Sequence, residues 1–180
     1  DSKMIPEPER VRLYPLMQEA LHSYQTIALE ATEMDLLMDR LSLNEIEAMK
    51  AGHLLNTLAV KPDVVYVDSP DPLASHFATR IHAYLSFKTK IVAEHKADVN
   101  YPVVSAASIL AKVERDAAIK KLQEEFQMFG DIGSGYSHDD RTIQFLQKYL
   151  AQHQTLPVCA RQKWGTNVRL VDAQFQKKLF

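Results

Sequence analysis

The sequence predicts an α/β fold, a mixed sheet flanked by helices with a helical C-terminal portion, and two observations lead there. Residues 64–67 (VVYV) and 90–94 (KIVAE) are short β-branched runs, and helix-length stretches precede, separate and follow them. Such alternation of strand and helix is the pattern of an α/β sheet. The unbroken apolarity of 64–67 further predicts a strand buried on both faces.

Taken in order, Pro6 and Pro8 open a helix over 7–22, with Pro15 expected to divide or kink it. Residues 26–32 (TIALEAT) read as a strand with Ile27 and Leu29 on one face. A helix over 42–59 starts at Ser42 with Glu45 three residues on, a capping-box pattern, and Leu43, Ile46, Met49, Leu54 and Leu58 form its apolar stripe. After the 64–67 strand, SPDP launches a helix over 72–85, and the 90–94 strand follows. The longest helix is expected over 104–127, a glycine loop over 130–135, a helix over 139–152 and a last helix over 171–179. Two portions are expected: a core over 1–128 and a helical and loop portion over 129–180.

Composition narrows the function classes. The 180 residues are 46% hydrophobic, enough to bury a core and to exclude general disorder. A formal net charge of −2 excludes a globally basic nucleic-acid binder but not a locally basic one. The charge is uneven: residues 30–50 carry six acids and two bases, whereas 159–180 carry five bases and one acid. Such a basic end suits a polyanion or simply a solvated face. No apolar run reaches membrane-spanning length, and the polar opening DSKMIPEPER lacks the apolar stretch of a signal peptide. Cys159 is the single cysteine, which leaves no internal disulfide and points to a reducing, cytoplasmic setting.

Asp68 follows the first buried strand and Asp98 lies four residues past the second. Ligand crevices in open α/β sheets lie outside the carboxyl ends of strands, and two carboxylates arriving there suit a hard cation such as Mg²⁺ or Mn²⁺. Aspartate also forms turns at strand ends, so spacing leaves both readings open. On the helix from 104, Ser105, Ser108, Lys112 and Arg115 fall in one stripe beside an apolar face of Ala106, Ile109, Leu110, Val113 and Ala117. Hydroxyls followed by cations in line suit a phosphate backbone, or an ordinary helix cap with a solvated basic edge. The loop Gly133-Ser134-Gly135-Tyr136 lacks a dinucleotide fingerprint but presents an aromatic ring. The histidines show no metal-ligand spacing, and no GxSxG elbow occurs, so acyl transfer has no support.

The segments VYVDSPD (65–71), AEHKADVNYPVVSAASILAKVERD (93–116) and GDIGSGYSHDDRT (130–142) closely resemble ribonuclease HII of the archaeal type. DSK (1–3), SLNEIE (42–47) and RQKWGT (161–166) fit the same family, so the resemblance covers nearly the whole chain. It implies a ribonuclease-H-like sheet and hydrolysis of the RNA strand of RNA–DNA hybrids, or at ribonucleotides embedded in DNA, by water attacking in line. It implies Mg²⁺ or Mn²⁺ held by four acidic residues, with Asp68 and Asp98 matching the third and fourth. Lys112 and Arg115 match substrate-binding cations, Tyr136 the tyrosine at the RNA–DNA junction, and Ser2 and Lys3 a motif close to nucleic acid. The usual form of the family is monomeric.

The family opens with a strand carrying D-E-A-G-R-G, which supplies the first two acids; these 180 residues contain nothing like it. The resemblance therefore predicts an N-terminally incomplete piece, whose opening strand another chain could supply. A second reading follows, a non-catalytic hybrid-binding fragment or pseudoenzyme. A small-molecule α/β enzyme is disfavoured, because no cofactor loop or nucleophile motif is present.

Overall fold

The computed structural model describes residues 4–176. Ser2 and Lys3 lie outside the described residues. The chain divides into two compact units, one from Asp1–Ala28 with Leu41–Glu114, the other from Leu29–Arg40 with Arg115–Phe180.

In the first unit, α1 (Glu7–Ala20) begins with prolines in its first turn, where a missing N–H costs no bond. It runs as one helix through Pro15, so Pro15 does not divide it. The chain then runs without regular structure through residues 23–30, so the expected strand over 26–32 does not form. Its alternation is real, but no ladder receives it: Thr26 Oγ1 instead donates to Glu114 at 2.6 Å, beside Tyr14 Oη at 3.0 Å. From Ala31 the same residues turn into α2 (Ala31–Leu37) of the second unit, whose Met34 is buried.

Helix α3 (Leu43–Thr57) is capped by Ser42, whose hydroxyl accepts from the Glu45 N–H at 3.3 Å. Only half of the capping box forms, because the Glu45 carboxylate is engaged by Arg80 and Tyr84. Strands β1 (Val64–Asp68) and β2 (Lys90–Glu94) pair in parallel, Val64 opposite Lys90 through Asp68 opposite Glu94. Helix α4 (Ala74–Ala83) makes the crossover. Phe77 and Ile81 of α4 close a small core with Ala48, flanked by Leu55, Val67 and Ile91.

Two expectations are corrected here. The buried line of α3 is Ile46, Ala48 and Gly52, while Leu43, Met49, Leu54 and Leu58 are only half-buried. Small residues win because the α4 end comes close: a Cβ on Gly52 would stand 2.6 Å from that of Tyr84. Strand β1 is not buried on both faces, since Val64 and Tyr66 remain 38% and 37% exposed. An apolar run cannot report which of its faces finds a covering layer. Among the described residues, β1 and β2 form a two-stranded parallel sheet.

Pro102 forces Tyr101 into an extended conformation, so a short α5 (Ala97–Asn100) ends before α6 (Pro102–Glu125) begins, two residues earlier than expected. Ile109 and Leu110 are buried, but Ala117 is exposed, so the apolar face of α6 stops short of it.

In the second unit, a 3-10 turn (Gln127–Phe129) and α7 (Asp140–His153) build the larger core from Phe129, Ile132, Phe145, Leu146, Leu150 and Leu156. Each such side chain contributes about 1.5–3 kcal/mol on burial. Helix α8 (Gly165–Gln176) starts six residues before the expected 171. Gly165 and Asn167 are weak helix formers, yet Asn167 is buried and its amide donates to the Arg161 carbonyl at 2.8 Å. Among the described residues no helix is long and apolar enough to cross a membrane.

Gly52→Ala sets a helix-propensity gain of about 1 kcal/mol against an overpacking cost of about 1–3 kcal/mol. With the obstruction at a Cβ rather than a flexible tip, we expect net destabilisation, read as a lower urea midpoint with an unchanged m-value.

Candidate functional site

Asp68 ends β1, with an exposed side chain, and stands in register with Glu94 at the end of β2. The Ser69 N–H donates to the Glu94 carbonyl at 3.0 Å, extending the ladder one step. Asp68 Oδ1 then accepts the Ala97 N–H at 3.1 Å, which brings its carboxylate to the residue adjoining Asp98. Asp98 lies half-buried on α5. The Asp68 carboxylate is thus tied, at the carboxyl end of the parallel pair, to the residue that precedes Asp98. Lys96, between them in sequence, adopts φ 57°, a left-handed conformation that lysine rarely takes. Strained residues of this kind persist where their surroundings over-determine them.

Sequence reasoning did not single out the polar groups around this end. Tyr101 Oη donates to Glu94 Oε1 at 2.6 Å, and Asn100 Nδ2 donates to Glu94 Oε2 at 3.3 Å. The Glu94 carboxylate beside it pushes the Tyr101 phenol above its usual range. The Tyr101 ring also packs on Tyr66 with centroids 4.4 Å apart. Asp71, buried in the same VDSPD segment, accepts from Asn44 at 2.6 Å and from Arg80 Nε at 2.9 Å. These two bonds hold its carboxyl below the usual carboxylate range, as Tyr84 and Arg80 do for Glu45. The sequence signal was the second aspartate of VDSPD, although nothing in it distinguished a buried anchor from an exposed ligand. His95 has ring nitrogens 3.3 Å from the carbonyls of Ser69 and Pro72, a turn contact rather than a metal-ligand geometry.

Ser105 and Lys112 are half-buried on the part of α6 in this unit, and the Ser105 N–H bonds the Tyr101 carbonyl at 3.1 Å.

In the second unit the structure brings Arg115 and Tyr136 together. The Arg115 guanidinium lies 4.1 Å from the centre of the Tyr136 ring, and His138 stacks on that ring at 5.5 Å with planes 15° apart. Tyr136 is 44% exposed. Gly135 makes this possible: at φ 72°, a Cβ would sit 2.8 Å from Ile119 Cδ1 and 3.1 Å from Arg115 Nη2. The loop is built from its own polar groups. Asp139 Oδ2 accepts from the Ser134 N–H at 2.8 Å, and Thr142 Oγ1 accepts from the Gly135 N–H at 3.0 Å. Thr142 in turn donates to the Ile132 carbonyl at 2.7 Å. The Arg141 guanidinium and the Ser134 N–H hold the Asp139 carboxyl well below the usual carboxylate range.

A third locus, also in the second unit, carries the RQKWGT segment. Buried Asp35 accepts from the backbone N–H groups of Gln162 at 2.6 Å and Lys163 at 3.2 Å, while Lys163 Nζ pairs with Asp39. Arg161 covers the Trp164 ring at 4.7 Å. The acidic 30–50 segment thus holds part of the basic end, a match invisible in local charge counts.

Oxygen donors and cations of this kind occur in many enzymes, and comparison with known proteins narrows the choice. The family model described as Ribonuclease HII matches residues 1–167. Ribonuclease HII of Pyrococcus furiosus is 40% identical over 178 residues, covering 99% of this chain and 77% of that protein. Ribonuclease HII of Methanococcus maripaludis is 37% identical over 183 residues, covering 100% of this chain and 74% of that protein. Among solved structures, ribonuclease H2 from Pyrococcus horikoshii superposes with a TM-score of 0.87 at 39% identity, covering 98% of this chain and 81% of its own. The structure of the PCNA:RNase HII complex from Archaeoglobus fulgidus gives 0.82 at 34% identity, covering 94% of this chain and 78% of its match. With this match over fold and sequence alike, the chain belongs to the ribonuclease HII family, the type 2 ribonucleases H.

Proposed function

We propose that this chain carries a divalent-metal-dependent endonuclease centre. It cuts the RNA strand of RNA–DNA hybrids, and DNA at embedded ribonucleotides, leaving 5′-phosphate and 3′-hydroxyl ends. The observation that carries this reading is the bond from the Ala97 N–H to the Asp68 carboxylate, which ties Asp68 to the residue before Asp98 at the carboxyl end of β1 and β2.

Two carboxylates are hard oxygen donors, the type that suits Mg²⁺ or Mn²⁺, and Asp68 is exposed with one oxygen fixed by backbone. The donor type fits; the donor number is that of half a site, since the described residues hold no group of three or more acids, histidines or cysteines placed to bind metal. Asp68 and Asp98 would hold the cation, and a cation so held lowers the pKa of a bound water and stabilises developing charge on phosphate oxygens. The other residues bind and orient. Lys112 and Arg115 engage phosphates, Ser105 offers a hydroxyl on the same helix, and Tyr136 presents a ring to the nucleotide at the RNA–DNA junction. Telling RNA from DNA requires reading the 2′-OH, and the phenol of Tyr136 is the group offered for it. Ser2 and Lys3 belong to the same proposal on the family motif alone, as do a monomeric form and a cytoplasmic setting.

Asp68→Asn keeps an oxygen acceptor for the Ala97 N–H but removes the charge a cation needs. On a DNA duplex with one embedded ribonucleotide, in Mg²⁺ or Mn²⁺, we expect cleavage to fall at least about 100-fold, since metal stabilisation is worth several kcal/mol. The assay compares the 180-residue chain with the same chain extended by an Asp-Glu strand from a relative. Cleavage undiminished by Asp68→Asn, or absent from the extended chain, overturns the assignment.

Tyr136→Ala removes a stacking surface worth about 1–3 kcal/mol per base. Fluorescence anisotropy with a labelled hybrid should show correspondingly weaker binding. Arg115→Ala should lower the slope of log K against log salt by about one.

A further inference from the structure

We infer that Glu94 and Tyr101 form a clasp that positions Asp98, and so act as positioning residues for the metal centre proposed above, on which this inference rests. Residues 94–101 form a closed ring that has Asp98 within it. One side is side-chain closure: Tyr101 Oη on Glu94 Oε1 at 2.6 Å, with Asn100 Nδ2 on Glu94 Oε2 at 3.3 Å. The inner side is backbone: the Tyr101 N–H bonds the Ala97 carbonyl at 2.8 Å, and the Val99 N–H bonds the Lys96 carbonyl at 3.0 Å.

The ring is fastened to both strands. Glu94 is itself the last residue of β2, and the Tyr101 ring rests on Tyr66 of β1 at 4.4 Å. Tyr66 and Asp68 lie two apart on β1 and so share a face, which puts the ring contact and the Asp68 carboxylate on the same side of the sheet. From that side Asp68 takes the Ala97 N–H. One tyrosine therefore reaches both strands at the point where both carboxylates are presented.

The clasp also accounts for two local oddities. Glu94 stands opposite Asp68 in register, where a second free carboxylate would repel the first. Its two donors instead engage it with Tyr101 and Asn100. Lys96 keeps φ 57° between two fixed points, the Glu94 clasp on one side and the Asp68–Ala97 bond on the other. Groups that orient metal ligands without touching metal typically change affinity 10–100-fold when lost.

Tyr101→Phe deletes only the hydroxyl, and Glu94→Ala deletes the acceptor. The first readout needs no metal: amide hydrogen exchange at Ala97, Asp98 and Val99 should speed up at least about tenfold in either variant, with exchange at Ile109 and Leu110 unchanged. The second is Mn²⁺ affinity of the extended chain, from the electron paramagnetic resonance signal of free Mn²⁺. It should weaken about tenfold in each variant, and the double variant should be no worse than either single one. Unchanged exchange and Mn²⁺ affinity in Tyr101→Phe overturn the clasp while leaving the metal centre standing. A loss in Glu94→Ala alone also overturns it, because Glu94 would then act by its own charge. If the parent fails to bind Mn²⁺, the metal centre itself falls and this inference with it.

Discussion

The bond from the Ala97 N–H to the Asp68 carboxylate is the constraint on which the rest of the candidate centre depends. Strands β1 and β2 are in register, but register alone delivers Asp68 and Glu94 to one level, not Asp68 and Asp98. Asp98 lies beyond the strand, and only a tie across the gap brings its segment back. A carboxylate accepting a backbone N–H does this with one interaction, using an orphan donor at a helix start that needs a partner anyway. Pro102 makes that start possible, because it ends α5 and restarts the chain as α6.

The same device recurs in the second unit. Asp35 takes two backbone N–H groups of the RQKWGT segment, and Asp139 takes those of Ser134 and Arg141 in the glycine loop. Asp35 orders the segment that carries Arg161 on Trp164, and Asp139 orders the loop whose Tyr136 ring meets Arg115 of α6. A guanidinium stacked on a ring keeps its charge while losing freedom, which suits contact with a phosphate chain and its bases. Acidic residues here therefore serve less as surface charge than as acceptors that shape basic loops. The −2 net charge hides this arrangement, since each anchoring acid offsets a cation in the count without removing it from the surface.

In the first unit, Glu45 and Asp71 serve packing. Arg80 bridges Glu45 of α3 and Asp71 of the β1–α4 turn, with Tyr84 closing the set. Asn44 joins the same set through Asp71. This network locks the crossover helix beside α3 where the apolar contact is small, built on Ala48 and the Gly52 approach.

Much of this was legible in the residues. β-branched runs located β1 and β2, Ser42 located the α3 start, and motif resemblance picked out Asp68, Asp98, Arg115 and Tyr136. What failed did so for physical reasons. Residues 26–32 alternate like a strand, but alternation becomes a strand only when a neighbour offers a ladder, and Glu114 offered side-chain bonds instead. The apolar run at β1 could not say that one face would stay open at Val64 and Tyr66. Glu94, Tyr101, Asp35 and His138 carried no signal because their partners are contacts made after the chain has turned. Local sequence determined where the helices and the β1 and β2 strands lie, apart from 26–32, and which residues carry carboxylates, cations and rings, since propensity and functional groups are properties of single residues. Tertiary structure decided which acids are presented and which are engaged, because a carboxylate becomes ligand or anchor only by which N–H or guanidinium the fold brings to it.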